Sequence, residues 1–425
     1  MNQTSFGTRL RGVLVTYADR VGSFHPNARL YLVNAIIAGA AFGVYRLLFN
    51  FFVLSMGYDE TLLGSLITTS SLTALIVALP MGYLADRLGR KPSLLIGNAA
   101  VVVAIFGMVL LPSTPMFIAM NVLMGAGQSI AGVTMGPFLM ENSSEKERTY
   151  LFSFSSGLQM ASGFVGNWLG GYLPTWMGSF LKVDATATPA YAAALLIVAG
   201  VAVLAIIPLA MMKMPKLELS QRSLFAPLWY LKEHMGTFGK LVLPMLLTSI
   251  GAGLIMPFMN VFFRNVFHQP DPVIGSMFAW GSLAMGVGLL IAPPIADRMG
   301  KIQLVVVTQA LSIPFLFMLG FAPIFALSAS AYYIRLALMN MSGPVYQTFV
   351  MERVEPSARA TVASLVSMSN NFGWAFSPII SGWIQVRYGF GPAFILTIIL
   401  YTLSIFFYWY FFWRGVSIRS SQPAV

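Results

Sequence analysis

Two arginines stand where arginine is costly. Arg46 lies in the apolar run ARLYLVNAIIAGAAFGVYRLLFNFFVLS, and Arg335 in SASAYYIRLALMNMSGPVYQTFVME. Long apolar runs belong in lipid, so a charge inside one must face protein or a water-filled cavity. A guanidinium offers a planar fork of donors that matches carboxylate and phosphate oxygens. Arg46 is 17 residues from Arg29, and Arg335 is 17 residues from Glu352, each at one end of its run. At 1.5 Å per residue both arginines sit ~25 Å from that end. Two cations at matched depth, with no acid in mid-run to neutralise them, point to a solute bearing negative charge. Asn50 is one turn beyond Arg46 on the same helical face. Asn260, Gln128 and Gln347 add polar groups in other apolar runs. Arg46, Asn50, Gln128, Asn260, Arg335 and Gln347 are therefore the candidate binding residues. Tyr45, Tyr332 and Tyr346 are candidates for an aromatic wall.

A second group of residues is charged and lies between runs. The stretch GYLADRLGRKP at 82–92 gathers Asp86, Arg87, Arg90 and Lys91 with Gly82 and Gly89, in a chain only 9% charged. A shortened copy, PPIADRMGK, returns at 293–301 with Asp297 and Arg298. Gly89 supplies the backbone freedom that a tight turn between antiparallel helices needs. The carboxylate of Asp86 can pair with an arginine or a helix N-terminus. An offset of 211 carries Asp86 onto Asp297, Glu141 onto Glu352 and Arg148 onto Arg359. In the first segment of each half the offset is 210, pairing Gly43 with Gly253 and Asn50 with Asn260. The acids recur at the same offset as the bases. The chain is a duplicated unit with its halves in parallel orientation.

The elements that must position these residues are helices in a bilayer. The 425 residues are 57% hydrophobic, with a mean hydropathy of +0.76. Soluble domains carry roughly a quarter charged residues. Long unbroken apolar runs select helices over a barrel. Twelve segments of spanning length are expected, near 30–55, 61–84, 93–111, 115–140, 150–177, 190–212, 239–266, 272–296, 302–321, 324–351, 358–386 and 390–413. They form an all-α membrane protein of two six-helix bundles, 30–212 and 239–414. A segment at 1–29, a linker at 213–238 and a tail at 415–425 flank them. Stretches 9–24 and 223–232 each show an apolar stripe and read as helices lying in the membrane interface.

Charge sets orientation. With both termini in the cytoplasm, 20 of the 25 Lys and Arg residues fall on the cytoplasmic side, as the positive-inside rule requires. The net charge of +11 is then a topology signal, and nucleic acid is not an expected partner. There is no cysteine, hence no thiol chemistry. No apolar leader precedes the first segment, so that segment is its own insertion signal. No nucleophile–base pair or metal cluster falls within the apolar runs, which argues against an enzyme and against a cofactor.

The stretch GYLADRLGRK, placed between the second and third segments of a duplicated twelve-segment chain, resembles the signature loop of the major facilitator superfamily. The first copy matches throughout. The second keeps Asp297, Arg298, Gly300 and Lys301 but has Pro293 and Pro294 near the leading glycine. The resemblance implies alternating access about a midplane cavity lined by helices 1, 4, 7 and 10. It also implies a cytoplasmic latch of Gly82, Asp86, Arg87, Gly89, Arg90, Lys91, Glu141, Arg148, Asp297, Arg298, Glu352 and Arg359. Asp86 would meet the start of helix 11 near Pro356 to Arg359, and Asp297 the start of helix 5 near Arg148. The sequence GFVGNWLGG at 163–171 departs from the related drug:proton antiporter motif, because Asn167 replaces proline. Asn121 stands where that branch carries arginine in helix 4. Both departures weigh against proton antiport.

The expected function is transport of a small organic solute, anionic, by a multi-pass protein of a prokaryotic cytoplasmic membrane, acting as a monomer. The alternative is a multidrug or amphipathic-lipid efflux carrier, with or without proton coupling.

Overall fold

The computed structural model describes residues 24–213, 235–352 and 359–414. Residues 9–23 of the first stripe, the stripe at 223–232, residues 214–234 of the linker, the tail at 415–425 and Pro356 lie outside the described residues.

Twelve helices are found among the described residues. They are α1 (Pro26–Ser55), α2 (Glu60–Leu88), α3 (Arg90–Leu110), α4 (Thr114–Glu141), α5 (Glu145–Leu181) and α6 (Thr188–Met211) in the first half. The second half has α7, in two pieces at Met235–Ile255 and Met259–Phe267, then α8 (Asp271–Met299) and α9 (Lys301–Phe321). It ends with α10 (Phe325–Glu352), α11 (Arg359–Tyr388) and α12 (Phe390–Tyr408). Nine of these, counting α7 as one, are long and apolar enough to cross a membrane. Their ends follow local chemistry. Proline stands in the first turn of α1, α4, α6 and α8, where its missing N–H is no loss. The Asp59 carboxylate accepts from the Leu62 amide and caps α2, a standard N-cap bond.

The duplication is visible in the backbone. Gly89, between α2 and α3, and Gly300, between α8 and α9, both have φ near +95°. That region is open to glycine at little cost, and the two turns are equivalent in the repeat.

One expected helix is broken. The seventh segment was expected to run unbroken, but Met256–Phe258 is a 3-10 turn containing Pro257. Proline removes an i→i−4 bond and clashes with the preceding turn. The equivalent stretch of α1 has no proline and stays helical.

The halves meet along two seams, α2 against α11 and α5 against α8. Gly171 and Gly275 sit at the second seam, so close that a Cβ on Gly275 would stand 2.6 Å from the Gly171 Cα. The buried core explains the shape. At the end bearing the α1–α2 and α7–α8 loops, one apolar cluster runs through both halves, from Val53, Leu63 and Phe117 to Phe262 and Phe394. At the end bearing Gly89 and Gly300 there are two clusters, one per half. Phe24, Leu94 and Phe138 belong to the first, and Leu241, Val305 and Phe349 to the second. A core shared at one end and divided at the other leaves a space between the bundles.

Candidate functional site

A cavity of about 840 Å³ occupies that space. Helix periodicity builds its walls. On α1, residues 31, 34, 35, 38, 39, 42, 43 and 46 fall on one stripe and face it, as the i, i+3, i+4 spacing requires. Tyr332, Leu336 and Asn340 form the corresponding stripe of α10. Arg46 is the one charged residue among the described residues lining the cavity. Its polar company is neutral and includes Asn34, Asn98, Gln159, Asn167, Asn260 and Asn340. Five methionines, Met135, Met160, Met256, Met259 and Met285, supply much of the apolar wall.

The other expected binding residues are placed differently. Arg335 is 2% exposed and stands behind the lining, where its Nη2 donates to the Tyr401 hydroxyl at 3.1 Å. It is one residue off the cavity stripe of α10, so the helix turns it toward α7 and α12. Asn50 is buried and bonded across the interface. Its Nδ2 donates to the Asn260 side-chain oxygen at 3.0 Å and to the Pro257 carbonyl at 2.9 Å. Asn260 in turn donates to the Leu47 carbonyl at 2.8 Å. Gln128 is half-buried on α4 and outside the cavity lining. Gln347 faces a separate 520 Å³ cavity within the second half, beside Thr248, Gln309 and Ser342. Tyr332 does line the main cavity, whereas Tyr45 stacks on Phe49 and Tyr346 donates to the Leu241 carbonyl.

Among the described residues, the charged loop pairs with partners in its own half. Arg90 donates to Asp86 at 2.7 Å and to Glu141 at 2.9 Å. Asp86 is paired with Arg90, four residues away; the start of α11, where Asp86 was expected to reach, lies outside the described side chains. Lys91 Nζ donates to the carbonyls of Ala210 and Met212, both at 2.7 Å. A cation on the last carbonyls of α6 satisfies groups the helix cannot. Arg87 stacks on Tyr83 and is exposed, as are Asp297 and Arg298. Gly82 makes no close approach. The side chains of Arg148, Glu352 and Arg359 lie outside what the structure describes.

The opposite end carries a cluster that sequence reasoning missed. Arg264, from the second piece of α7, is ion-paired with Asp271 at the start of α8. Tyr191 of α6 donates to Asp271 and accepts from Arg264, both at 2.7 Å. The Arg264 guanidinium also lies 3.3 Å over the Phe51 ring, a cation–π arrangement. Asn265 donates to Glu60 at 3.1 Å, and the Ile379 amide donates to Thr68 at 3.1 Å. These contacts join the two halves. The available signal was a seven-residue Arg–Asp spacing across a loop, which resembles any loop charge pair.

Residues 31–229 and 241–424 match the family model described as Major Facilitator Superfamily. An uncharacterized MFS-type transporter, YceJ of Bacillus subtilis (strain 168), is 24% identical over 354 residues, covering 81% of this chain and 86% of YceJ. Among solved structures, a variant of the nucleoside transporter NupG superposes with a TM-score of 0.75 at 13% identity, covering 91% of this chain and all of NupG. A bacterial homolog of the human lysosomal transporter Spinster, inward-facing and unoccupied, superposes with a TM-score of 0.73 at 14% identity, over 92% of this chain and 96% of that one.

Proposed function

The chain belongs to the Major Facilitator Superfamily, and on that premise we propose that the small solute it carries is an organic anion. It is a multi-pass membrane transporter, and the fold is compatible with many solutes. The observation that carries the anionic reading is the charge of the cavity. Arg46 faces it, the described lining residues include no acid, and Arg335 lies one layer behind. A guanidinium in a confined, largely neutral cavity attracts an acidic group more strongly than it does in water.

Orientation follows from the charge bias. With the basic loops inside, the end where the cores divide faces the cytoplasm, and the described arrangement is the inward-open member of an alternating-access pair. The Asn50–Asn260 and Arg264–Asp271–Tyr191 contacts then close the outer side. The Asp86–Arg90–Glu141 cluster sits on the open side, positioned to exchange partners when that side closes.

The test is a thermal-shift screen of purified protein against anions, cations and neutral amphiphiles, with wild type beside Arg46→Gln. Stabilisation of wild type by anions, lost in Arg46→Gln, supports the reading. The efflux alternative is favoured by one observation, the five methionines in the wall, since methionine suits adaptable binding surfaces. Equal stabilisation of both proteins by cations or neutral amphiphiles would replace the anionic reading with that one.

A further inference from the structure

Arg335 is a buried cation with poor company. Nη2 meets the Tyr401 hydroxyl, the guanidinium stands 5.4 Å from the centre of that ring, Nη1 stands 3.9 Å from the Met256 sulfur, and Nε has no hydrogen-bond partner among the described residues. A thioether is a weak acceptor. Buried charges are otherwise paired, yet no carboxylate is ion-paired with Arg335 among the described residues. A buried guanidinium without a carboxylate partner among the described residues has donor capacity suited to an anion.

Met256 separates it from the cavity. The same side chain lines the cavity and touches Arg335. The offset of 210 that pairs Asn50 with Asn260 also pairs Arg46 with Met256. Thus α1 presents a guanidinium where α7 presents a thioether, with a guanidinium immediately beneath it. Met256 also opens the 3-10 turn that breaks α7. Such a turn lacks the regular i→i−4 ladder, so it is a place where the segment can yield.

We infer that Met256 is a plug over a second cationic subsite, Arg335 with the Tyr401 hydroxyl, and that the cavity thereby selects organic dianions. One acidic group binds Arg46. The other reaches Arg335 once Met256 turns aside. A monoanion is served by Arg46 alone and leaves the plug in place. An unbranched side chain with three rotatable bonds suits a part that must move without leaving a fixed void. This rests on the anionic reading above and adds the charge of the solute and the residue that gates it.

The full chain in detergent is titrated with phthalate, a dianion, and benzoate, the monoanion on the same ring, at a pH where both are fully ionised. Wild type is compared with Met256→Ala, Arg335→Gln and the double variant. Met256→Ala should bind phthalate about tenfold more tightly, the size of one charged hydrogen bond, and benzoate with far less gain. The phthalate gain should vanish in the double variant. Tyr401→Phe keeps the ring and should weaken phthalate more than benzoate, which guards against a folding defect in the alanine variant. An equal gain for both ligands, or a gain that survives Arg335→Gln, overturns the plug while leaving the anionic reading intact. If neither anion stabilises wild type or Met256→Ala and cations or neutral amphiphiles do, the anionic reading itself fails, and the subsite with it.

Discussion

Asn50 and Asn260 hold equivalent places in the two halves of the repeat, and their side chains bond to each other at 3.0 Å. The pair sits where α1 meets α7, and each amide also donates to a carbonyl of the opposite helix, Pro257 for Asn50 and Leu47 for Asn260. A duplicated residue has thus become its own partner. Replacing either by alanine strands a buried acceptor on the other half, at ~1–3 kcal/mol. Asn50→Ala and Asn260→Ala should each shift the population toward the state open at the opposite end, and the double variant should add less than the sum of the two. Accessibility of single cysteines placed on either side of the pair, in this naturally cysteine-free chain, measures the shift. Unchanged labelling would remove the pair from the closure.

The Arg264–Asp271 ion pair is graded by its third member. Asp271→Ala leaves a largely buried guanidinium without its carboxylate, and such losses cost ~3–5 kcal/mol. Tyr191→Phe removes one hydroxyl and should cost only ~1 kcal/mol. Thermal unfolding should therefore rank wild type, Tyr191→Phe and Asp271→Ala in falling order. A tyrosine variant as damaging as the aspartate one would show that the hydroxyl, not the ion pair, holds this end together.

The α2–α11 seam admits no added atom at Gly382, where a Cβ would stand in clash with the Glu60 carbonyl. Backbone on both sides leaves no flexible side chain to give way. Gly382→Ala should prise this end apart while leaving the bundles individually folded. Crosslinking between cysteines at the two outer rims should fall several-fold against wild type, a shift of ~1 kcal/mol or more. Retained crosslinking would mean that the seam has slack.

Lys91 acts on stability more than on binding. Its ammonium holds the last carbonyls of α6, and Lys91→Met keeps the stem while removing the charge. The loss should be ~1–2 kcal/mol in unfolding. By contrast, Arg87→Met, on an exposed side chain stacked on Tyr83, should change stability by less than ~0.5 kcal/mol. Equal losses for the two variants would show that the carbonyl contacts contribute nothing.

Much of the architecture was legible because it is written locally. Twelve apolar runs, two glycine turns and the offset between Asn50 and Asn260 can be counted in the chain, and the membrane allows few ways to fold them. Arg46 could be singled out because a cation in an apolar run is rare whatever surrounds it. The break in α7 was missed although Pro257 is visible, since prolines at 80, 137, 174 and 208 interrupt other spans without ending them. Gln128 and Gln347 were chosen by depth alone, and depth does not say which way a side chain points.

By itself, the sequence determined the solvent this protein folds in, the number of its spans, their duplication, and the depth of every charge along them. Those follow from hydropathy, from the rise of a helix and from where glycine or proline stands. The tertiary structure alone decided what each polar residue faces. In a helix that is apolar on nearly every side, hydrophobic periodicity does not set rotation about the axis, so neighbours far away in the chain set it. That is why Arg46 opens onto the cavity, Asn50 onto its own repeat mate, and Arg335 onto the back of Met256.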